Sequence, residues 1–358
     1  MLIKSLSANG YRNLTIKKQE LSPTVNIIYG NNAQGKTNFL EAIYFCAFGR
    51  SLRARADAEL INREKTAAAI QIQTQRTTMS STIEANLQQT GKKTVKSINI
   101  DFLPVRHMKD LFGKLLVVMF SPEDLRLIKS GPSERRRFMD MEICQLSPVY
   151  YSDLREYHRA LKQRNALLKS LQKNKSACDS LSIWDEQLVN YGQRIIKTRT
   201  AFIKKINKIA NKIHKNITQD TENLKLEYKP SVTTENFART LEKSHERDIL
   251  RGTTNDGIHT DDIEFTINNI SARHFGSQGQ QRTAALSAKL AEIEIIKQST
   301  NETPILLLDD VLSELDKHRQ KYLLENIHDL QTIVTCTGIE EFNFKKYKLM
   351  HMINGQIK

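Results

Sequence analysis

Two short stretches hold residues whose types and spacing could do chemistry. Gly30-Asn31-Asn32-Ala33-Gln34-Gly35-Lys36-Thr37 fits the phosphate-binding pattern G-x-x-x-x-G-K-[ST]. In such a loop the glycines let backbone N–H groups curl around a β-phosphate, and the lysine, here Lys36, reaches the β- and γ-phosphates. Thr37 offers its hydroxyl to Mg²⁺, a hard cation that prefers oxygen ligands. The second stretch is Pro304-Ile305-Leu306-Leu307-Leu308-Asp309-Asp310, an apolar run closed by two acids. At the end of a buried strand, Asp309 can face the Mg²⁺ while Asp310 polarises an attacking water. As an isolated pattern the acidic strand end is weak, but beside a phosphate loop each half supplies what the other lacks. Together they imply ATP binding and transfer of a phosphoryl group to water.

These residues need elements to position them. Val25, Ile27 and Ile28 predict a strand running into the loop, and Asn38 to Phe45 a helix running out, whose N-terminus adds favourable positive potential. Leu2 to Leu6 predicts a first strand, followed by a turn, Tyr11-Arg12-Asn13-Leu14, opened by Gly10. Arg12 and Asn13 could reach a phosphate or base from there, although a surface turn is the plainer reading of the residues alone. Strand-like alternation at 69–73, 81–87 and 95–100 predicts an antiparallel meander. The uninterrupted apolar run Leu115 to Phe120 predicts a strand buried on both faces.

From Pro122 to about Leu250 the period turns helical, interrupted at Ser130-Gly131-Pro132. Arg135, Arg136 and Arg137 follow, with Glu134 and Asp140 close by, so phosphate contact and a solvated, locally paired face both remain open. A longer signal recurs through Ile195, Ile196, Phe202, Ile203, Ile206, Ile209, Ala210, Ile213 and Ile217. The opposite face carries Arg194, Lys197, Arg199, Lys204, Lys205, Lys208, Lys212 and Lys215, with no acid between Gln187 and Gln219. An unmixed basic face of this kind predicts contact with a DNA or RNA backbone. Residues 219–262 are polar and weakly patterned. Farther on, Phe275-Gly276-Ser277-Gln278-Gly279-Gln280-Gln281-Arg282 opens an amphipathic helical run, Ala284 to Ala291. Ser277, Gly279 and Gln280 form either an ordinary cap or a second anion site.

Composition bounds the partners. The 358 residues are 39% apolar and allow about two lobes, and no stretch reaches the length of a membrane-spanning helix. The N-terminus carries no secretory signal, which predicts a cytoplasmic protein. Cys46, Cys144, Cys178 and Cys336 have neither zinc-ligand nor disulfide-framework spacing and are expected to be reduced core residues. A net charge of +14 favours a polyanionic partner.

The phosphate loop, the Ser277-Gln278-Gly279-Gln280 turn, the Leu308-Asp309-Asp310 strand end and Ser313-Glu314-Leu315-Asp316 together resemble the ABC-type ATPase head shared with SMC proteins. Pro122 to Asp140, Tyr11 to Leu14 and Gly30 to Ala42 are similar to the RecF family of bacterial recombination and gap-repair proteins. The likeness extends over nearly the whole chain, to the strand Gln331 to Thr337. It implies an α/β, ABC/SMC-type P-loop ATPase head with an inserted helical lobe: residues 1–120, an insertion at 121–262, and residues 263–358 with the signature helix.

By this resemblance Gly30 to Thr37 bind ATP, with Arg12 and Asn13 beside it. Thr37 and Asp309 hold Mg²⁺, and Asp310 takes the catalytic position with Lys36. Ser277, Gly279 and Gln280 form the signature turn that caps ATP on a second subunit. The implied activity is weak, DNA-stimulated hydrolysis with ATP-dependent homodimerisation. The implied partners are DNA, single- and double-stranded and at gap junctions, together with RecO, RecR and RecA.

The chain departs from the family at Ser130, where glycine is usual, and at Gly257-Ile258-His259-Thr260-Asp261-Asp262, where the family reads Gly-Pro-His-Arg-Asp-Asp. Thr335 or Thr337 stands where transporters carry a histidine, consistent with slow turnover. Two rivals remain. An ATP-gated DNA clamp would scarcely hydrolyse ATP. A transporter subunit would need a glutamine loop, which the segment after Phe120 lacks.

Overall fold

The computed structural model describes residues 1–76, 79–91, 93–172, 180–338 and 346–358. In chain order the first elements are β1 (Leu2–Tyr11), β2 (Leu14–Glu20), β3 (Val25–Tyr29), α1 (Lys36–Phe48), β4 (Ala67–Gln75), β5 (Ser80–Thr90), β6 (Lys93–Ile100), β7 (Leu103–Pro104) and β8 (Val117–Phe120). Next come α2 (Arg126–Lys129), α3 (Pro132–Leu146), α4 (Pro148–Leu171), α5 (Leu181–Thr218), β9 (Leu224–Lys229), α6 (Phe237–Arg251), β10 (Asp262–Ile267), β11 (Ile270–Ser271), α7 (Ala272–Phe275) and α8 (Gln278–Thr300). The chain closes with β12 (Ile305–Asp309), α9 (Lys317–Asn326), β13 (Thr332–Cys336), β14 (Tyr347–Ile353) and β15 (Gln356–Ile357). These elements divide into two compact units: Met1–Asp124 with Glu292–Lys358, and Leu125–Ala291.

The first unit has two six-stranded sheets. One runs β2-β1-β4-β5-β6-β7 and is antiparallel throughout, so the expected meander exists and is extended by β1 and β2. The other runs β15-β14-β3-β13-β12-β8, with every pair from β14 to β8 parallel. β8, β12 and β13 are buried along their whole length, which is why Leu115–Phe120 and Ile305–Leu308 read as unbroken apolar runs. α1 is apolar on nearly every side, burying Phe39, Leu40, Ile43, Phe45 and Phe48, and it touches strands of both sheets. Two strands follow β13, the strand expected at Gln331 to Thr337: β14, which pairs with β3, and β15, which pairs with β14.

The second unit is built on α4, α5 and α6, with α3 packed on α4. Isoleucines of the expected α5 stripe are buried, among them Ile195, Ile196, Ile203, Ile206 and Ile217. The unit is not purely helical. β9, β10 and β11 form an antiparallel sheet that α5 covers, and β9 and α6 lie inside the stretch read as weakly patterned. α8 is buried around its full circumference from Thr283 to Ala291, where an amphipathic helix was expected. Cys46, Cys144 and Cys336 are buried; Cys178 lies outside the described residues.

Candidate functional site

Three parallel strands of the first unit bring the two motifs together. β3 delivers the phosphate loop, β12 ends on Asp309, and β13 lies between them with Thr335 opposite Ile28 on one side and Asp309 on the other. Parallel strands share one C-terminal edge, so loop and acids must emerge on the same side. Thr37 Oγ1 donates to Asp309 Oδ1 at 2.8 Å across 272 residues of sequence, and Thr335 Oγ1 donates to the same oxygen at 2.9 Å. Burial pushes the Asp309 carboxyl above its ordinary value, although both hydroxyls and the charge of Arg53 act to lower it. Asp310 follows in left-handed backbone, φ 54°, its amide donating to Thr335 Oγ1 at 3.1 Å. Thr335 is thus a buried strand residue that orders both acids, while Thr337 beyond the strand is exposed.

The loop is held from several sides. Lys36 Nζ donates to Gly30 O at 2.6 Å and to Asn31 O at 2.9 Å, and an ammonium has three N–H groups, so one remains for a ligand. Asn31, Asn32 and Ala33 are exposed at the rim. Gly35 caps α1 at φ 110°, and a Cβ there would meet Asn13 Oδ1 at 2.7 Å. Asn38 Nδ2 donates to that same Asn13 oxygen at 2.8 Å. From the far end of the chain, the turn between β14 and β15 reaches Gln34: Gly355 N donates to its carbonyl at 2.8 Å and Asn354 N to its Oε1 at 2.6 Å.

On α1, one turn beyond the loop, lies a buried carboxylate. Glu41 on α1 is 1% exposed and accepts hydrogen bonds from Arg12 Nε at 3.1 Å, Ser51 Oγ at 2.5 Å and Arg53 Nη2 at 3.2 Å. Arg53 Nη2 also donates to Asn38 Oδ1 at 2.9 Å.

In the second unit, Ser277 and Gln280 form a reciprocal cap. Ser277 Oγ accepts from Gln280 N at 3.2 Å and Gln280 Oε1 accepts from Ser277 N at 2.9 Å, which leaves Ser277 exposed at the N-terminus of α8. Gln280 Nε2 donates to Glu222 Oε1 at 2.9 Å, and the other Glu222 oxygen pairs with His214 of α5 at 3.0 Å. Lys204, Lys208 and Lys212 are exposed along one side of α5, with no acid within ion-pair distance among the described residues.

Two arginines expected at the surface are not there. Arg135 is 3% exposed and grips Asp262 with Nε at 2.6 Å and Nη2 at 3.0 Å, so its charge is spent inside the unit and it leaves the DNA-contact set. Arg199, placed on the basic face by its spacing, is fully buried between Asp140 and Asp261. Arg136 is half-buried and donates Nη1 to Asp261 O at 2.8 Å. The departing loop Gly257 to Asp262 therefore has an internal job. Its two acids anchor arginines of α3 and α5, and His259 meets Tyr157 Oη at 3.0 Å.

A family model described as the RecF/RecN/SMC N terminal domain matches residues 2–355. The DNA replication and repair protein RecF of Lachnoclostridium phytofermentans is 49% identical over 96% of this chain and 94% of its own length. The chain belongs to the RecF family. The RecF of Agathobacter rectalis, at 43% identity, covers 100% of this chain and 99% of its own. A solved structure of the recombination mediator protein RecF with ATP, in the RecFOR pathway, superposes with a TM-score of 0.93 at 34% identity, covering 99% of this chain and 96% of that one. An Smc head domain from Pyrococcus furiosus, at 17% identity and a TM-score of 0.56, covers 99% of this chain and 95% of that one and shares the fold. The architecture is that of the ABC/SMC-type P-loop ATPase head. No helix among the described residues is long and apolar enough to cross a membrane.

The sequence reading missed Arg53 and Gly355. Arg53 sits in an irregular segment with three arginines in close succession, and nothing in that spacing selects the one that meets Glu41. Gly355 follows Asn354, a turn signal in plain view, but its destination is set by the pairing of β14 with β3. At φ 76° an added Cβ would lie 1.8 Å from Asn13 O. Gly355→Ala is therefore expected to cost at least about 1–2 kcal/mol from its backbone alone and to displace the loop as well. ATP titration should show weaker binding, whereas Gly91→Ala, with φ 59° but nothing within 4 Å, should bind as the parent does. Equal ATP affinity in the two variants would remove the turn from the site.

Proposed function

We propose that this chain is an ATP-dependent DNA-binding protein of recombinational gap repair and replication restart. In this reading ATP binding drives a homodimer, and hydrolysis is weak and stimulated by DNA. The observation that carries it is the meeting of Thr37 and Asp309 at 2.8 Å beside the N-terminus of α1. The donor set fits a nucleotide with Mg²⁺: an oxygen pair whose carboxylate is costly to bury without a cation, a lysine with one N–H to spare, and helix N–H groups at a glycine. Thr37 and Asp309 would hold the Mg²⁺, which neutralises charge on the phosphates when bound. Lys36 and the N–H groups of Gly30 to Thr37 bind and orient the phosphates. Asn13 keeps the loop in shape, and the Asp310 carboxylate accepts a proton from the attacking water. With Thr337 rather than an imidazole beyond β13, turnover should be slow.

Two features support a DNA partner: the +14 net charge and the exposed lysines of α5. The names of the relatives supply the pathway, so RecO and RecR are the proposed partners, with RecA loading as the outcome and the cytoplasm as the place. Arg136 and Arg137 are secondary DNA candidates.

The exposed Ser277 turn is assigned to cap the γ-phosphate held by the other subunit. Ser277→Arg should leave ATP affinity of the monomer nearly unchanged and prevent the ATP-induced dimer, because the side chain fills the space meant for phosphate. Light scattering with ATP reads the mass directly. A variant that dimerises normally makes the turn a helix cap only.

A further inference from the structure

We propose that Glu41 is a positioning residue for the triphosphate: one buried carboxylate holds Arg12 and Arg53, which arrive on two separate loops, against the phosphate loop. The inference rests on the nucleotide reading above. Arg12 comes from the turn between β1 and β2, Arg53 from the segment after α1, and neither loop has regular structure to aim a long side chain. Glu41 supplies the aim. Its carboxylate is 1% exposed, while Arg12 and Arg53 are 23% and 38% exposed, so the anchor lies beneath and the guanidinium groups reach outward.

Charge balance says what the pair awaits. Two guanidinium groups on one carboxylate leave one positive charge in excess within this cluster, carried by side chains that stay partly exposed and so open to a ligand. Arg53 also bonds Asn38, in the first turn of α1, and its charge is felt at Asp309. The surplus therefore adjoins the first turn of α1, the helix that the phosphate loop opens. Burial alone would push the Glu41 carboxyl up; the bonds from Arg12 and Ser51 and the charge of Arg53 outweigh it, so the carboxyl titrates below its ordinary range and the anchor stays charged. Ser51 Oγ ties the assembly to the backbone, since it also accepts from Arg53 N at 3.0 Å and Ala54 N at 2.8 Å.

The test exploits an opposition of sign. Removing a negative charge next to a polyanion tightens binding if Glu41 merely contributes to the local field, and weakens binding if Glu41 aims the arginines. Titration of a fluorescent ATP analogue with Glu41→Gln should show affinity lower by about tenfold, the worth of one charged hydrogen bond, and a smaller loss for the ADP analogue. Adding Glu41→Gln to an Arg12→Gln/Arg53→Gln background should change nothing further, because the residues it acts through are gone. Should Glu41→Gln fail to fold, Glu41→Asp keeps the charge but shortens its reach, and weaker ATP binding is again expected.

Unchanged or tighter ATP binding in a folded Glu41 variant, or full additivity with the arginine changes, overturns the proposal. Lys36→Ala, measured alongside, separates the two levels. If it binds ATP like the parent, the nucleotide reading fails; if it loses ATP while Glu41→Gln does not, only the role of Glu41 fails.

Discussion

Lys36→Ala is expected to lose ATP binding by roughly a hundredfold, while Asp310→Asn binds ATP as the parent does and hydrolyses it at least about a hundredfold more slowly. The difference follows from where the two groups sit. Lys36 is buried, and its ammonium ties Gly30 O and Asn31 O together, so the alanine variant loses both a phosphate contact and the internal bonds that shape the loop. Asp310 stands one residue past the strand. Its amide is held by Thr335, and Ser313 Oγ donates to its carbonyl at 2.7 Å, so the amide side chain of asparagine can replace the carboxylate without moving the backbone. A fluorescent-nucleotide titration and a phosphate-release assay separate binding from turnover. Equal loss of binding in both variants would count against these assignments.

Replacing Lys204, Lys208 and Lys212 by glutamine should weaken duplex DNA binding for all sequences alike. The salt slope of log K should fall by roughly two to three units, since each phosphate contact contributes about 0.9. Glutamine preserves length and helix propensity, and α5 is held by other residues, among them the buried Ile195, Ile196, Ile203 and Ile206, so the helix itself should stand. ATP binding by the monomer should not change, because these residues lie outside the unit that carries the phosphate loop. An unaltered slope would make the lysines a solvated face. Arg136, Arg137 and Lys93 are the next candidates; Lys92, the neighbour of Lys93 in sequence, lies outside the described residues.

The phosphate loop and the strand ending at Asp309 were legible in the sequence because their signals are local: glycines at set spacing, an unbroken apolar run, a helix start. The isoleucine stripe of α5 was legible for the same reason. Pairings between distant residues were not. Arg135 and Arg199 looked like surface charge because their partners, Asp262 and Asp261, arrive from a loop more than sixty positions later, and a basic residue carries no mark of such a partner. β9 does alternate, burying Leu224 and Leu226, but its partner β10 follows only after all of α6, and α6 itself buries Ser244 and Asp248 on its core face. Asp248 can sit there because Arg164 Nη1 meets it at 2.8 Å, which is why that helix reads as polar. Glu41 was hidden in the same way, inside an apolar helix, until Arg12 and Arg53 were seen to meet it.

Sedimentation with ATP, with ADP and with no nucleotide, each with and without duplex DNA, tests the central claim most directly, because nucleotide, dimer and DNA are read in one experiment. The account predicts a monomer that binds DNA weakly without nucleotide or with ADP, and a dimer that carries the DNA with it when ATP is present. The same mass and the same DNA binding in all three nucleotide states would contradict it.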